Sequence, residues 1–148
     1  MRAPVFALAL ALAAPAFADE PARGRLYVPV YSSIAAGSGA TRIDMTATLS
    51  LRNLSSRHAV TLERVEYRDT AGALVRAYLK APLAVAPLAG YEVVIADKDL
   101  AGGTGAKFLI DWSAPAGAPA PLAEAVMIGS VGATSYSFVS VGRPAPQD

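Results

Sequence analysis

The sequence predicts an all-β protein, a single antiparallel β-sandwich of about seven to eight strands. Apolar and polar residues alternate with period two through most of the chain, which is typical of half-buried strands. No segment after the first 18 residues keeps a 3.6-residue apolar period. The chain's 12 glycines and 11 prolines separate short strand-like segments, as they do in sandwich domains.

The N-terminus resembles a cleavable secretory signal peptide. Arg2 precedes an apolar run, and Ala16-Phe17-Ala18 supplies the small residues that signal peptidase requires. The apolar run is shorter than the roughly 20 residues that span a bilayer. The predicted organisation is a signal peptide over residues 1–18, a flexible mature N-terminus over 19–25, a β-sandwich domain over 26–142 and a disordered tail over 143–148.

Composition restricts where the protein acts and what it binds. The chain has no cysteine, which excludes a lipoprotein anchor, thiol chemistry and a Cys-rich metal site. A periplasmic location follows, with no integral membrane segment after cleavage. Loss of Arg2 leaves equal numbers of basic and acidic residues, scattered singly along the sequence. Nucleic acid and anionic membranes need clustered Lys and Arg, so neither is expected as a partner.

The clearest strand prediction runs from Ile43 to Arg52, where apolar and polar residues alternate without error. A second strand begins at Val60, and its alternation slips at Glu63-Arg64, which predicts a β-bulge. Asp69-Thr70-Ala71-Gly72 is a predicted turn. Further predicted strands cover 74–79, 91–96, 107–113, 123–130 and 135–141, with a short apolar segment at 83–85.

Two methionines and the single tryptophan are predicted to lie in the core. Met45 and Met127 fall on apolar strand faces. Phe108, Ile110 and Trp112 share one face of the 107–113 strand, which indicates that Trp112 packs inward instead of binding a ligand.

The segment DKDLAGGTG, residues 97–105, is the strongest candidate for an ion or phosphate site. Its glycines lead into a strand and no Lys-Ser/Thr pair follows, so nucleotide or dinucleotide binding is not expected. Asp97 and Asp99 are a weak calcium candidate, because carboxylates and backbone carbonyls are the ligands that Ca²⁺ prefers. A tight turn explains the same residues. No other metal and no cofactor is expected.

Other catalytic arrangements have little support in the sequence. His58 is the only histidine, and it follows Ser55 and Ser56 in a predicted turn without a nucleophile-elbow pattern. Two carboxylate pairs, Glu63 with Glu66 and Asp111 with Glu124, are possible acid–base pairs only if the fold brings each pair together. No catalytic residue is therefore assigned.

The strand near the mature start is the favoured binding surface. In Tyr27-Val28-Pro29-Val30-Tyr31, alternation turns the valines inward and both tyrosines outward. Pro29 lacks an N–H, which places this strand at a sheet edge or bulge. Exposed tyrosines beside an edge are suited to recognition, with Gly102, Gly103 and Gly105 as possible additional contacts. Tyrosines that cap the end of the core are the alternative.

Several motifs resemble one bacterial family, called domain of unknown function 3124. They are YVPVYSSI (residues 27–34), TATLSLRN (46–53), GGTGA (102–106) with Phe108 and Trp112, and EAVMIG (124–129). The resemblance covers residues 26–143. It implies a small exported protein with an immunoglobulin-like sandwich and carries over no known activity.

The sequence thus predicts an exported, non-catalytic binding or interaction module of the bacterial cell envelope, whose partner is an unknown protein or peptide. One alternative is a metal-dependent or carboxylate-based hydrolase that uses the Asp97–Gly105 loop. A purely structural envelope protein is the other.

Overall fold

The structure is a computed structural model that describes residues 22–147. The predicted signal peptide lies outside the described residues. The described part is all-β and contains no helix, so none of it forms a helix that could cross a membrane. Its strands are β1 (Ala22–Val30), β2 (Ser33–Ala36), β3 (Thr41–Asp44), β4 (Thr46–Arg52), β5 (Val60–Arg68), β6 (Leu74–Ala77), β7 (Leu83–Val85), β8 (Gly90–Ile95), β9 (Ala106–Ala114), β10 (Leu122–Val131), β11 (Thr134–Val141) and β12 (Arg143–Ala145).

The strands form two main antiparallel sheets and a hairpin. The large sheet has the order β12-β1-β9-β5-β6, with β7 also paired to β5. The small sheet has the order β11-β10-β4-β8, and β2 pairs with β3. The inward faces of both sheets contribute to one hydrophobic core, in a sandwich-like arrangement. The predicted all-β fold class is confirmed.

The alternation that predicted the strands also identified the core. Ile43, Met45 and Leu49 are completely or almost completely buried, as are Met127 and Phe108. Trp112 is 7% exposed and packs inward as predicted. The side chains between these positions in the strands lie on the outward faces of the two sheets.

Residues 22–147 contain twelve strands, more than the seven to eight predicted: β2 and β12 were not predicted, and one predicted strand is divided. The segment 43–52 keeps its alternation, but Met45 separates β3 from β4. The Met45 N–H donates to the Ser32 carbonyl at 2.9 Å, so the chain leaves the β2–β3 hairpin at this point and enters the small sheet. The bulge predicted at Glu63-Arg64 is confirmed, since the β5–β9 register shifts between Leu62 and Arg64.

Both predicted chain ends need correction. The segment 19–25 was expected to be flexible, yet Ala22 to Arg25 belong to β1 and pair with Asp111–Ala114 of β9. The tail over 143–148 was expected to be disordered, yet Arg143–Ala145 form β12 and pair with residues 25–27 of β1. The sequence did not predict this strand, because the tail contains two prolines and lacks apolar alternation. β12 is a strand because it pairs with β1.

Candidate functional site

The predicted binding strand β1 lies inside the large sheet and not at its edge. Val28 and Val30 are buried and Tyr27 is 37% exposed, so the predicted orientation of these residues is correct. The prediction of an edge position is wrong, because β12 pairs with residues 25–27 on the open side of β1. That pairing stops before Pro29, whose carbonyl instead accepts a hydrogen bond from Ser140 Oγ. The pairing with β12 ends at Tyr27 because Gly142, which precedes β12, donates its N–H to the Ala123 carbonyl and connects β12 to β11 of the small sheet.

The two tyrosines of the predicted site occupy different environments. Tyr27 stands on the outward face of the large sheet, opposite Arg143 of β12 and Leu109 of β9. Tyr31 follows the end of β1, is half-buried, and packs its ring edge-on against Phe138 with 5.5 Å between ring centroids. Only Tyr27 offers an aromatic ring on an open sheet face.

The glycine loop packs against neighbouring segments of the same chain. The Gly103 carbonyl accepts the Ser32 N–H at 3.0 Å, so the loop adjoins the segment that contains Tyr31. Thr70 donates its N–H and its hydroxyl to the Gly102 carbonyl, both at 3.0 Å, and accepts the Gly105 N–H at 2.9 Å. The backbone of this loop approaches Thr70 so closely that a larger residue would not fit, which explains why the loop contains glycines.

Asp97 and Asp99, the weak calcium candidates, have different neighbours. The Asp99 carboxylate pairs with Arg76 at 3.2 Å and accepts the Ala101 N–H within its own turn. Asp97 is exposed and lines an open groove of about 410 Å³ with Arg42 and Asp44. No group of three or more His, Cys, Asp or Glu side chains that could hold a metal ion occurs within residues 22–147.

The members of each possible catalytic pair have different neighbours. Glu66 pairs with Arg68 at 2.7 Å, while Glu63 accepts a hydrogen bond from the Ser113 hydroxyl at 2.6 Å. Asp111 and Glu124 belong to the outward faces of different sheets.

The turn that contains Ser55, Ser56 and His58 makes hydrogen bonds that hold the turn together. His58 is exposed, and the Ser55 hydroxyl accepts the backbone N–H of His58 at 2.9 Å and that of Arg57 at 3.2 Å. Side-chain oxygens that cap backbone N–H groups are typical of tight turns. The hydroxyl is therefore used to close the turn.

The outward face of the large sheet gathers basic residues that are far apart in the sequence. Antiparallel register places Arg25 beside Asp111 and Asp111 beside Arg64, and it places Lys107 beside Arg68. We call this surface the arginine face. Its basic members are Arg23, Arg25, Arg64, Arg68, Lys107 and Arg143, and its acidic members are Glu63, Glu66 and Asp111.

Asp111 holds two of these arginines in place. Its carboxylate accepts hydrogen bonds from Arg25 Nε at 2.7 Å and from Arg64 Nε at 2.7 Å, and Arg25 Nη2 adds a third at 3.2 Å. The hydrogen bonds from Arg25 and then from Arg64 lower the pKa of Asp111, although burial acts in the opposite direction. Asp111 is therefore ionised across the neutral pH range and fixes both guanidinium groups.

One end of the arginine face forms an open groove of about 460 Å³, lined by Arg23, Glu63, Ser113, Gln147 and neighbouring residues. Trp112 forms part of its wall, and its buried Nε1 has no hydrogen-bond partner among the described residues. Gly24 lies opposite Trp112, where an added Cβ would be 3.0 Å from that nitrogen. The groove thus adds polar groups to the basic surface.

The arginine face was missed in the sequence because no strand carries an uninterrupted run of basic residues. Arg23 and Arg25 alternate in β1, as do Arg64, Glu66 and Arg68 in β5. That period-two spacing places the charged residues of each strand on one face, and it was the signal in the sequence that could have predicted the arginine face. Anionic partners were not expected because the charges are scattered along the sequence. Strand register brings these charges together on one face, so that argument no longer applies.

Comparisons with known proteins give a family but no activity. No curated protein matches the chain. The crystal structure of Thermotoga maritima 1070 is similar over 81% of this chain and 92% of that one, with a TM-score of 0.48 and 10% sequence identity, which is too weak a likeness to support any argument. Residues 23–145 match the family described as Protein of unknown function (DUF3124), and the chain therefore belongs to that family.

Proposed function

We propose that this protein is an exported, non-catalytic binding module of the bacterial cell envelope, and that its arginine face binds an acidic segment of a partner protein. The observation that supports this function is the excess of basic over acidic side chains on one sheet face, around the exposed Tyr27. Arginine and tyrosine are enriched at the energetic centres of protein interfaces. Opposite charge on the partner would guide association and fix its register.

The geometry of Arg64 favours carboxylate recognition. Its Nε and Nη2 donate to Asp111, while 57% of the side chain stays exposed. A guanidinium has five N–H donors, so further donors remain for a carboxylate of the partner. Because Asp111 already orders this side chain, binding would cost less conformational entropy than ordering a free arginine.

Arg23 and Arg143 supply the exposed positive charge. Both side chains are exposed, and neither forms an ion pair with another residue of the segment 22–147. An acidic partner can pair with them without breaking an existing contact. Pairs of this exposed kind contribute about 0.2–1 kcal/mol each and weaken as salt is added.

The two alternative functions have less support. A hydrolase at the Asp97–Gly105 loop would need convergent carboxylates, whereas Asp99 pairs with Arg76 and Asp97 faces a different groove. A purely structural envelope role does not explain why basic residues are concentrated on the outward face of the large sheet.

Titration calorimetry with poly-L-glutamate tests the proposal. We expect binding at low ionic strength that weakens as salt rises, and no binding of poly-L-lysine. Arg23→Gln and Arg143→Gln should each weaken binding about two- to fivefold. Arg57→Gln is the matched control, since Arg57 is an exposed arginine in the β4–β5 connection that lines a different groove.

Three results would contradict the proposal. They are no binding of poly-L-glutamate, an equal effect of Arg57→Gln, and binding only to phosphatidylglycerol vesicles, which would indicate a lipid surface instead of an acidic protein.

A further inference from the structure

β11 is an edge strand that carries none of the usual protection against pairing. It is the terminal strand of the small sheet, and its sequence, TSYSFVSV, contains no charged residue, proline or glycine. An edge strand exposes a row of backbone N–H and C=O groups, which proteins usually block with charges, prolines or a short strand. An unblocked edge is a template for another strand.

The other edge strands of the two main sheets, within residues 22–147, are blocked in these ways. β8, at the opposite edge of the small sheet, is shorter than β11 and contains Glu92. In the large sheet, β6 contains Arg76, and β12 contains Arg143 and Pro144 within three residues. β7 pairs with β5 over only three residues. β11 therefore differs from each of them.

The hydrogen bonds with β10 show which backbone groups of β11 are left over. The Gly142 N–H donates to the Ala123 carbonyl at 2.8 Å, in the same register as the β10–β11 pairs. Because hydrogen-bonded pairs alternate in an antiparallel ladder, the even-numbered residues of β11 direct their N–H and C=O groups towards β10. Ser135, Ser137 and Val139 therefore direct theirs away from the sheet, where no other strand of residues 22–147 pairs with them.

The core is also incompletely covered at this edge. Tyr136 and Phe138 point inward and are half-buried, whereas Met127 of β10, which is paired with Phe138, is completely buried. Tyr31 packs edge-on against Phe138, so this tyrosine of the predicted binding surface lies beside the β11 edge. A further strand with apolar side chains on its inward face would extend the core over these rings.

One end of β11 adjoins a groove that carries negative charge. Ser135 lines this groove with Asp44, Asp97 and Arg42. Neither carboxylate forms an ion pair with another residue of the described part of the chain, and Arg42 donates a hydrogen bond to the Ser33 hydroxyl. The groove therefore suits a basic side chain on a strand that extends past Ser135.

We infer that β11 binds an extended segment of a partner protein, which joins the four-stranded small sheet as an additional strand. The segment has apolar side chains at alternate positions, no charge opposite β11, and a basic residue where it passes the groove lined by Asp44 and Asp97. Its backbone hydrogen bonds with Ser135, Ser137 and Val139 supply affinity, while its inward side chains and its basic residue supply specificity. This edge is separate from the arginine face of the large sheet, so the inference does not depend on the proposed function.

A synthetic peptide of alternating valine and threonine, matched in length to β11 and with a lysine at each end, is the probe. Its lysines disfavour contact with the arginine face. We expect binding in titration calorimetry, and amide hydrogen exchange at Ser135, Ser137 and Val139 should slow by at least about tenfold in the complex. The amides of Tyr136 and Phe138 already bond to β10 and should change little. The same peptide with proline at two central valines cannot form a continuous strand and should not bind.

A proline in β11 tests the role of its backbone. Ser137→Pro removes one unpaired donor without breaking a bond to β10, and edge strands tolerate proline where the N–H faces solvent. It should weaken binding of the peptide by more than about tenfold, whereas Ser137→Ala keeps the N–H and should bind as the parent does. Glu92→Pro is the matched control and should leave binding unchanged. The Asn53 N–H donates to the Ala89 carbonyl in the β4–β8 register, so the Glu92 N–H also faces away from the sheet, at its opposite edge.

Hydrogen exchange of the parent chain keeps the test valid if Ser137→Pro does not fold. Replacing both lysines of the peptide by glutamine should weaken binding about two- to fivefold, and Arg23→Gln should not change it. The inference would be overturned by a peptide that does not bind or by equal effects of Ser137→Pro and Glu92→Pro. Slow exchange at Ser135, Ser137 and Val139 without peptide would also overturn it, because the edge would then already be paired, as in a dimer of two β11 strands.

Discussion

Gly102 lies directly against the hydroxyl end of Tyr67. A Cβ at Gly102 would overlap the Tyr67 hydroxyl and would lie 2.6 Å from both Tyr67 Cζ and Ala106 Cβ. Tyr67 is completely buried, so its ring has no room to withdraw. We predict that Gly102→Ala lowers the free energy of unfolding by about 2–3 kcal/mol, measured by urea denaturation.

Gly117→Ala is the control for this substitution. Gly117 has a φ of 75° and open space around its Cβ position. Alanine there should lower the free energy of unfolding by only about 1 kcal/mol, the cost of a left-handed backbone conformation. Equal losses in both variants would show that steric overlap with Tyr67 is not the cause.

The hydroxyl of Tyr67 also forms a buried hydrogen bond with Ser32 Oγ at 2.8 Å. We predict that Tyr67→Phe and Ser32→Ala each destabilise the fold by about 1–2 kcal/mol, because each removes this buried hydrogen bond. The double variant should cost clearly less than the sum of the two, as a double-mutant cycle would show. Additive losses would contradict a coupled pair.

The same tyrosine makes stability depend on alkaline pH. Burial raises the pKa of Tyr67 above its ordinary value of 10.0. Above about pH 10 the unfolded chain loses this proton while the folded chain keeps it, so stability falls as pH rises towards the folded pKa. Urea denaturation of Tyr67→Phe should show a smaller fall in stability above about pH 10 than the parent shows. The destabilisation of this variant at neutral pH should remain.

Pairing between β12 and β1 gives a prediction for the C-terminus. A chain that ends at Gly142 loses β12, so those backbone amides of residues 25–27 that point towards β12 should exchange hydrogen faster, and stability should fall by about 1–2 kcal/mol. A chain that ends at Ala145 keeps β12 and is the control. Unchanged exchange in the shorter chain would show that β12 does not protect β1.

Period-two alternation was sufficient to predict the fold class, the inward faces and the bulge in β5. Each of these depends on local pattern, and the buried Met45, Phe108 and Trp112 follow from it. β12 was missed because pairing with β1, and not its own sequence, makes it a strand.

The arginine face was missed because its contacts are between distant residues. Arg25 and Asp111 are 86 residues apart, and Arg64 and Asp111 are 47 apart. Which strands become neighbours, and in which register, is a property of the whole sandwich. The position of Tyr27 on one face was predictable, but its charged surroundings were not.

The proposed export gives a prediction for the N-terminus, which lies outside the described residues. Signal peptidase requires small residues at the positions that Ala16 and Ala18 occupy. Intact-mass spectrometry of the exported protein should therefore show a mature chain that begins at Asp19. A mass that retains Met1 would contradict cleavage.

The Arg25–Asp111–Arg64 cluster should make stability depend on acidic pH. Asp111→Asn removes the carboxylate that pairs with Arg25, whose side chain is only 14% exposed. We predict a loss of about 2–3 kcal/mol at neutral pH, because a nearly buried guanidinium would lose the carboxylate that accepts two of its hydrogen bonds.

The pH profile of this loss distinguishes charge from packing. Hydrogen bonds from Arg25 hold the pKa of Asp111 below its ordinary value of 3.8, so the stabilising effect is complete well above that value and disappears as pH falls through the folded pKa. The difference between the parent and Asp111→Asn, measured by urea denaturation, should therefore shrink below about pH 4. Glu92→Gln is the control, since Glu92 is exposed on the small sheet and should change stability by less than about 0.5 kcal/mol. A difference that stays constant down to pH 2 would mean that Asp111 stabilises the sheet through its shape and not through its charge.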